Sequence, residues 1–229
     1  MAEKQGVIKQ RHERHELINV SEPNLMRDIF PYNSVCKVQF DGSPPPLKPA
    51  KKFWITDTTF RDGQQARPPY TVKQIVEIYK MLNKLGGPNG IIRQSEFFIY
   101  TDKDKKAVEE CLELGLEFPE ITSWIRAQKE DFRLVKEMGL KETGILTSAS
   151  DYNIFLKLKK TRKQIMDEYL GVVKAALDAG VTPRCHLEDA TRADVYGFCI
   201  PFVQELTKLR EDSGIPIKVR ICDTMGYGV

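Results

Sequence analysis

The sequence predicts an α/β protein built from repeated βα units on a parallel sheet, and three observations carry that reading. Short apolar or β-branched runs recur near residues 53–57, 95–99, 119–123, 143–147, 183–187 and 217–222. Between them lie helical stretches that start at polar residues and stop at Gly86, Gly115, Gly139, Gly180 and Gly214. The polar, chemistry-bearing residues gather at the C-terminal ends of several strands. The alternation alone fits a doubly wound sheet or a (β/α)₈ barrel. The third observation selects a TIM (β/α)₈-type barrel, whose active sites are built at that end. A full barrel has eight strands and about 250 residues, whereas about six βα units can be counted here. The expected fold is therefore an incomplete barrel, or a truncated piece of a longer protein.

The bulk numbers agree with a single soluble globular domain. With 229 residues and 41% hydrophobic content the chain can bury a sizeable core. A net charge of +3, without a basic stripe interleaved with aromatics, gives no reason to expect nucleic acid as a partner. Apolar runs fall far short of the roughly 20 residues that a spanning helix needs, and the opening MAEKQGVIKQRHERHE has no signal-peptide core. No membrane partner and a cytoplasmic location follow as expectations. The five cysteines, at 36, 111, 185, 199 and 222, never form a CxxC pair and are read as buried reduced thiols.

Residues 1–50 hold His12, His15 and the run SPPPLKP at Ser43 to Pro49 without sustained periodicity, and are read as an N-terminal arm; residues 51–229 form the barrel part. His12 and His15 around Glu13 read as a solvated charged face rather than a metal pair. In the first unit, the strand Phe53-Trp54-Ile55 runs into DTTFRDGQQ (57–65), where Asp57, Thr59 and Arg61 are expected on one face and Asp62 with Gly63 opens the loop. An Asp beside an Arg suits a divalent cation and a carbonyl substrate, and equally suits a structural ion pair. The helix from Thr71 places Val72, Ile75, Ile78, Tyr79, Leu82 and Leu85 on one face. In the fifth strand Arg184, His186 and Glu188 share one side and Cys185 and Leu187 the other, so the polar side should face the barrel interior, as a pocket or as an internal Arg184–Glu188 network. In the sixth, Val219 and Ile221 suit the helix side, with Arg220, Cys222 and Thr224 inward.

DTTFRDGQQ closely resembles the first-strand signature of the DRE-TIM metallolyase superfamily. That superfamily covers 2-isopropylmalate, homocitrate, citramalate and Re-type citrate synthases and hydroxymethylglutaryl-CoA lyase. Further matches follow in the superfamily's order: ITSWIRA at 121–127, ILTSASDYNIFLKLKKTR at 145–162, HLEDATRAD at 186–194 and CDTMGYG at 222–228. The resemblance implies a barrel that binds Mg, Mn or Zn and, in the synthases, joins the methyl carbon of acetyl-CoA to the keto carbon of a 2-oxo acid, releasing CoA by hydrolysis.

Carried over by motif, Asp62 is similar to the metal ligand, Arg61 to the group that stabilises the keto or enolate oxygen, and Gln65 to a substrate contact. Glu188 resembles the active-site glutamate, and Thr224 the hydroxyl that holds the 2-oxo acid carboxylate. Arg184, four residues before that glutamate, is similar to an arginine that binds the distal carboxylate of oxaloacetate or 2-oxoglutarate, with His186 beside it in the substrate-binding set. The superfamily's HxH metal pair on a seventh strand has no counterpart before Val229, so a single carboxylate ligand should hold metal poorly. The expected function is an acyltransferase of carboxylic and amino-acid biosynthesis, acting as a homo-oligomer. The alternatives are a carbon–carbon lyase or carboxyltransferase of the same superfamily, or a catalytically incomplete chain acting by association.

Overall fold

A computed structural model of the chain describes residues 14–27, 50–65, 67–126 and 128–226. Helix starts follow local chemistry. Thr71, Thr101 and Thr161 each accept the backbone N–H three residues on, while Gln74, Asp104 and Gln164 bond back to the threonine N–H. This reciprocal cap satisfies two otherwise orphaned donors. It opens α1 (Val72–Gly86), α2 (Asp102–Glu113) and α4 (Arg162–Asp178). α3 (Phe132–Glu137) and α5 (Ile200–Ser213) start from short turns instead, with Pro201 in the first turn of α5.

All six expected strands form: β1 (Ile55–Asp57), β2 (Ile92–Phe97), β3 (Glu120–Ile125), β4 (Glu142–Ser148), β5 (Thr182–Glu188) and β6 (Lys218–Ile221). β2 begins three residues before the expected run, because Ile92 pairs with Ile55 and Gln94 with Thr56. The sheet is wholly parallel and ordered β1-β2-β3-β4-β5-β6, each strand beside its sequence neighbour. It is curled: Arg220 on β6 donates to Thr56 Oγ1 on β1 at 3.0 Å although these strands are at opposite edges. This is the incomplete TIM barrel that the alternation of elements, together with the polar residues at the strand ends, implied.

The outer face carries the core. Ile75, Tyr79, Phe97, Val108, Ile125 and Ile145 anchor one cluster under α1–α3, and Met166, Val173, Cys185, Leu187, Phe198 and Phe202 another under α4 and α5. α1 departs from its expected face in one place: Leu85 is exposed, and the helix is closed by Gly87 at φ +65° rather than by Gly86. Val219 and Ile221 do lie on the outer side, beside an apolar cleft of about 780 Å³ shared with Leu187, Cys199 and Val203, and Ile221 remains 77% exposed. Cys111, Cys185 and Cys199 are buried free thiols and Cys222 a half-buried one, as expected. Burial pushes Cys185 up to about 12 and Cys199 up to about 11.

His12, Cys36, the SPPPLKP run, Tyr227 and Gly228 lie outside the described residues. The described part of the N-terminal segment packs on α4 and α5. The His15 N–H donates to Gln204 Oε1 at 3.1 Å, the Ile18 N–H to Gly197 O at 3.0 Å, and Leu17 joins the second cluster. Among the described residues no helix is long and apolar enough to cross a membrane.

Candidate functional site: the polar barrel interior

Alternation along the strands sends Gln94 and Glu96 of β2, Thr122 and Trp124 of β3, Gly144 of β4, Arg184 and His186 of β5 and Arg220 of β6 to the inner side. Their register stacks them in layers, with Glu96 opposite Thr122, Trp124 opposite Gly144, Gly144 opposite Arg184 and His186 opposite Arg220. Gly144 is required there. A Cβ at that position would come within 2.4 Å of the Trp124 ring, which instead meets His186 edge-on at 4.6 Å.

Glu96 is the centre of this interior. Its carboxylate is wholly buried and takes Arg184 Nη2 at 2.6 Å and Arg220 Nη1 at 3.1 Å on Oε1. Arg61 Nε lies 2.8 Å from Oε2, but its N–H is not directed along that contact, so the two atoms form an ion pair without a proper hydrogen bond. Arg61 also stacks over Trp124 at 3.9 Å from the ring centre. Three guanidinium groups thus converge on one carboxylate.

Arg184 is saturated by protein. Its five N–H donors go to His186 Nε2, Gln94 Oε1, Glu142 Oε1, Glu96 Oε1 and Thr122 Oγ1. Of the two readings open from sequence, the structure has the internal network, with a different partner. Arg184 pairs with Glu96 and Glu142 rather than Glu188, because Glu188 stands two residue pairs farther up the strand, where Ser148 Oγ and Asn153 Nδ2 donate to it and Lys157 Nζ is 3.7 Å away. Lys218 also pairs with Glu142.

His186 accepts from Arg184 through Nε2, which leaves the proton on Nδ1. Burial foremost, then the charges of Arg220, Arg184 and Arg61, push its pKa down to about 2, so the ring is neutral. Because the folded pKa lies below the unfolded value near 6.5, unfolding takes up a proton once the pH falls below about 6.5, and stability declines as the solution is acidified. The slope should approach about 1.4 kcal/mol per pH unit, read between pH 6.5 and 5, above the range in which carboxylates titrate. A His186→Gln variant should lose that slope in urea titrations; equal slopes for both proteins would refute the assignment.

The first turn corrects one expectation. Asp57, Thr59 and Arg61 do not share a face, because β1 ends at Asp57 and alternation ends with it. Asp57 accepts both the N–H and the hydroxyl of Thr59 and, on its other oxygen, the Ser95 hydroxyl at 2.6 Å. That arrangement caps the turn and ties β1 to β2, leaving Arg61 alone to face the interior. Asp62, 47% exposed, pairs with Arg61 at 2.7 Å, and Gln65 Nε2 approaches its other oxygen at 3.4 Å.

At the far side, Thr224 Oγ1 accepts the Asp189 N–H at 2.8 Å. Asp189 holds a left-handed conformation and is clamped by Arg192 and Ser150. Among the described residues no group of three or more His, Cys, Asp or Glu side chains forms a cation site. Asp62 is a lone carboxylate already paired with arginine, so the described residues do not by themselves fit a divalent metal.

Glu96 escaped the sequence reading, and Trp124, Ser148, Asn153 and Lys157 stood in its motifs without an assigned role. Glu96 sits in the run Gln94-Ser95-Glu96-Phe97, whose alternation put two polar residues on the inner face and was a usable signal.

Comparison with known proteins agrees with this architecture. Residues 52–229 match the HMGL-like family over most of the chain. The chain belongs to the HMGL-like family. The HMGL-like chain is 66% identical over 216 residues to a citrate (Re)-synthase of Syntrophus aciditrophicus (strain SB), covering 94% of this chain and 34% of that protein. To a citrate (Re)-synthase of Clostridium kluyveri it is 58% identical over 94% of its length and 48% of the relative's. To a 2-phosphinomethylmalate synthase of Streptomyces hygroscopicus the identity is 37%, over 92% of this chain and 49% of that one. It therefore spans between a third and a half of these relatives. The HMG-CoA lyase structure from Brucella melitensis superposes with a TM-score of 0.53 at 14% identity, over 79% of this chain and 64% of the other, which shows the fold.

Proposed function

We propose that this chain carries the β1–β6 part of the active site of a synthase that condenses acetyl-CoA with a 2-oxo acid, the first candidate being oxaloacetate with citrate as product. The observation that carries the proposal is the convergence of Arg61, Arg184 and Arg220 on the single buried Glu96. Lys218 adds a fourth cation, and Glu142, Asp62 and, through Gln94, Glu120 join Glu96 in answering them. The positive groups are nevertheless concentrated around the one Glu96 carboxylate, an arrangement that suits an anionic substrate there.

In this reading the 2-oxo acid enters from the C-terminal ends of the strands. The Thr224 hydroxyl, whose oxygen already accepts from Asp189, keeps its own hydrogen to donate to the 1-carboxylate. Arg61 steadies the keto oxygen as negative charge gathers on it while the acetyl methyl carbon forms the new carbon–carbon bond. Glu188, at the top of β5 with side-chain donors on its carboxylate, is placed in the proton-transfer role, and water then cleaves the thioester to release CoA. Gln65 is assigned a substrate contact and Asp62 one ligand of a divalent cation whose other ligands are not among the described residues. A cytoplasmic homo-oligomer completes the proposal.

The test is CoA release by the purified chain from acetyl-CoA and oxaloacetate with Mg²⁺ or Mn²⁺. A Glu188→Gln variant should lose about 10²- to 10⁴-fold in turnover. Turnover unchanged by that substitution, or cleavage of a hydroxyacyl-CoA in place of condensation, would overturn the reading.

A further inference from the structure

Arg184 has no donor left for a substrate, yet a dicarboxylic 2-oxo acid needs a cation for its second carboxylate. We propose that Arg220 on β6 is that specificity-determining group, and that it selects a short, four-carbon dicarboxylic 2-oxo acid over its monocarboxylic counterpart. The inference rests on the condensation reading for the identity of the oxo acid, but its geometry stands alone.

Arg220 differs from Arg184 in two respects. Its side chain is 31% exposed where that of Arg184 is 3% exposed. Its hydrogen bonds use two of its five N–H donors, one to Glu96 and one to Thr56, so three remain for a ligand. Glu96 also fixes where those donors are. Arg220 rests on Oε1 and Arg61 on Oε2 of the same carboxylate. The two guanidinium heads are consequently separated by no more than the length of a small molecule, so a ligand reaching both must be short. A neutral His186 beside them adds no competing charge, and the register that sets His186 against Arg220 keeps the arginine on the inner face. A planar guanidinium with donors to spare is suited to a carboxylate.

Binding of oxaloacetate and of pyruvate, which lacks the distal carboxylate, should be measured by calorimetry on the full chain and on Arg220→Gln and Arg220→Lys variants. The wild-type protein should prefer oxaloacetate by roughly 10- to 100-fold, the worth of one charge-assisted contact. Arg220→Gln should abolish the preference while leaving pyruvate affinity within a few-fold, and Arg220→Lys should restore part of it. Circular dichroism checks that each variant is folded. A preference that survives Arg220→Gln, or no preference in the wild-type chain, overturns the proposal. Loss of the preference in Arg220→Gln together with no CoA release by any protein would keep Arg220 as the selector and fell the condensation reading alone.

Discussion

Replacing Glu96 with alanine is expected to cost about 3–5 kcal/mol, a third or more of the stability of an ordinary domain. The magnitude follows from what is left behind rather than from what the ion pairs contribute. Arg184 and Arg220 sit on one oxygen of Glu96 and Arg61 on the other, all facing the barrel interior. With the carboxylate gone, Arg184 keeps Glu142 but Arg220 and Arg61 confront it with like charge in a poorly solvated space. Glu96→Gln should lose nearly as much, since the amide keeps the shape but not the charge. Formate or acetate should restore part of the loss in the alanine variant, because a small carboxylate can enter the vacated volume. Urea titrations with and without formate measure this. A loss below about 1 kcal/mol would mean that water screens the three arginines as it does surface charges.

The fold was legible because its signals are local. Six apolar or β-branched runs, polar helix starts and a chain of glycine stops each speak for one element, and parallel order follows once the units repeat. The interior was half legible. Alternation put Arg184, His186 and Arg220 on the inner face, and so they are. Which partners they take was not readable, since Glu96 lies 88 residues from Arg184 in the chain and only the curl of the sheet brings the two together. The first turn misled for a related reason. The residues Asp57, Thr59 and Arg61 keep strand spacing in the sequence, but Asp57 is better satisfied by capping its own turn than by extending β1, and periodicity carries no information about that competition.

Arg162→Met should be the second severe substitution, again by about 3–5 kcal/mol, and it should act on a different part of the molecule. The Arg162 side chain is 1% exposed at the start of α4, against a bidentate Asp151 at 2.8 Å and Asp194 at 2.9 Å. Its remaining reach goes to the Ile18 carbonyl at 3.1 Å, while Asp151 also accepts the Asn24 N–H at 2.7 Å. One arginine therefore joins the loop after β4, the loop after β5 and the N-terminal segment. Methionine fills the volume but leaves the buried Asp151 carboxylate without its counter-charge and Ile18 without its donor. Residues 14–27 should then be cleaved by a protease before the barrel elements are, and the slope of urea unfolding should change little if the rest of the fold stays cooperative. Asp151→Asn combined with Arg162→Met should recover part of the loss, because the orphaned charge goes with the aspartate. If the double variant is as unstable as the sum of the two single ones, Arg162 contributes packing rather than charge compensation, and the N-terminal segment is held by Leu17 and the two backbone contacts from His15 and Ile18.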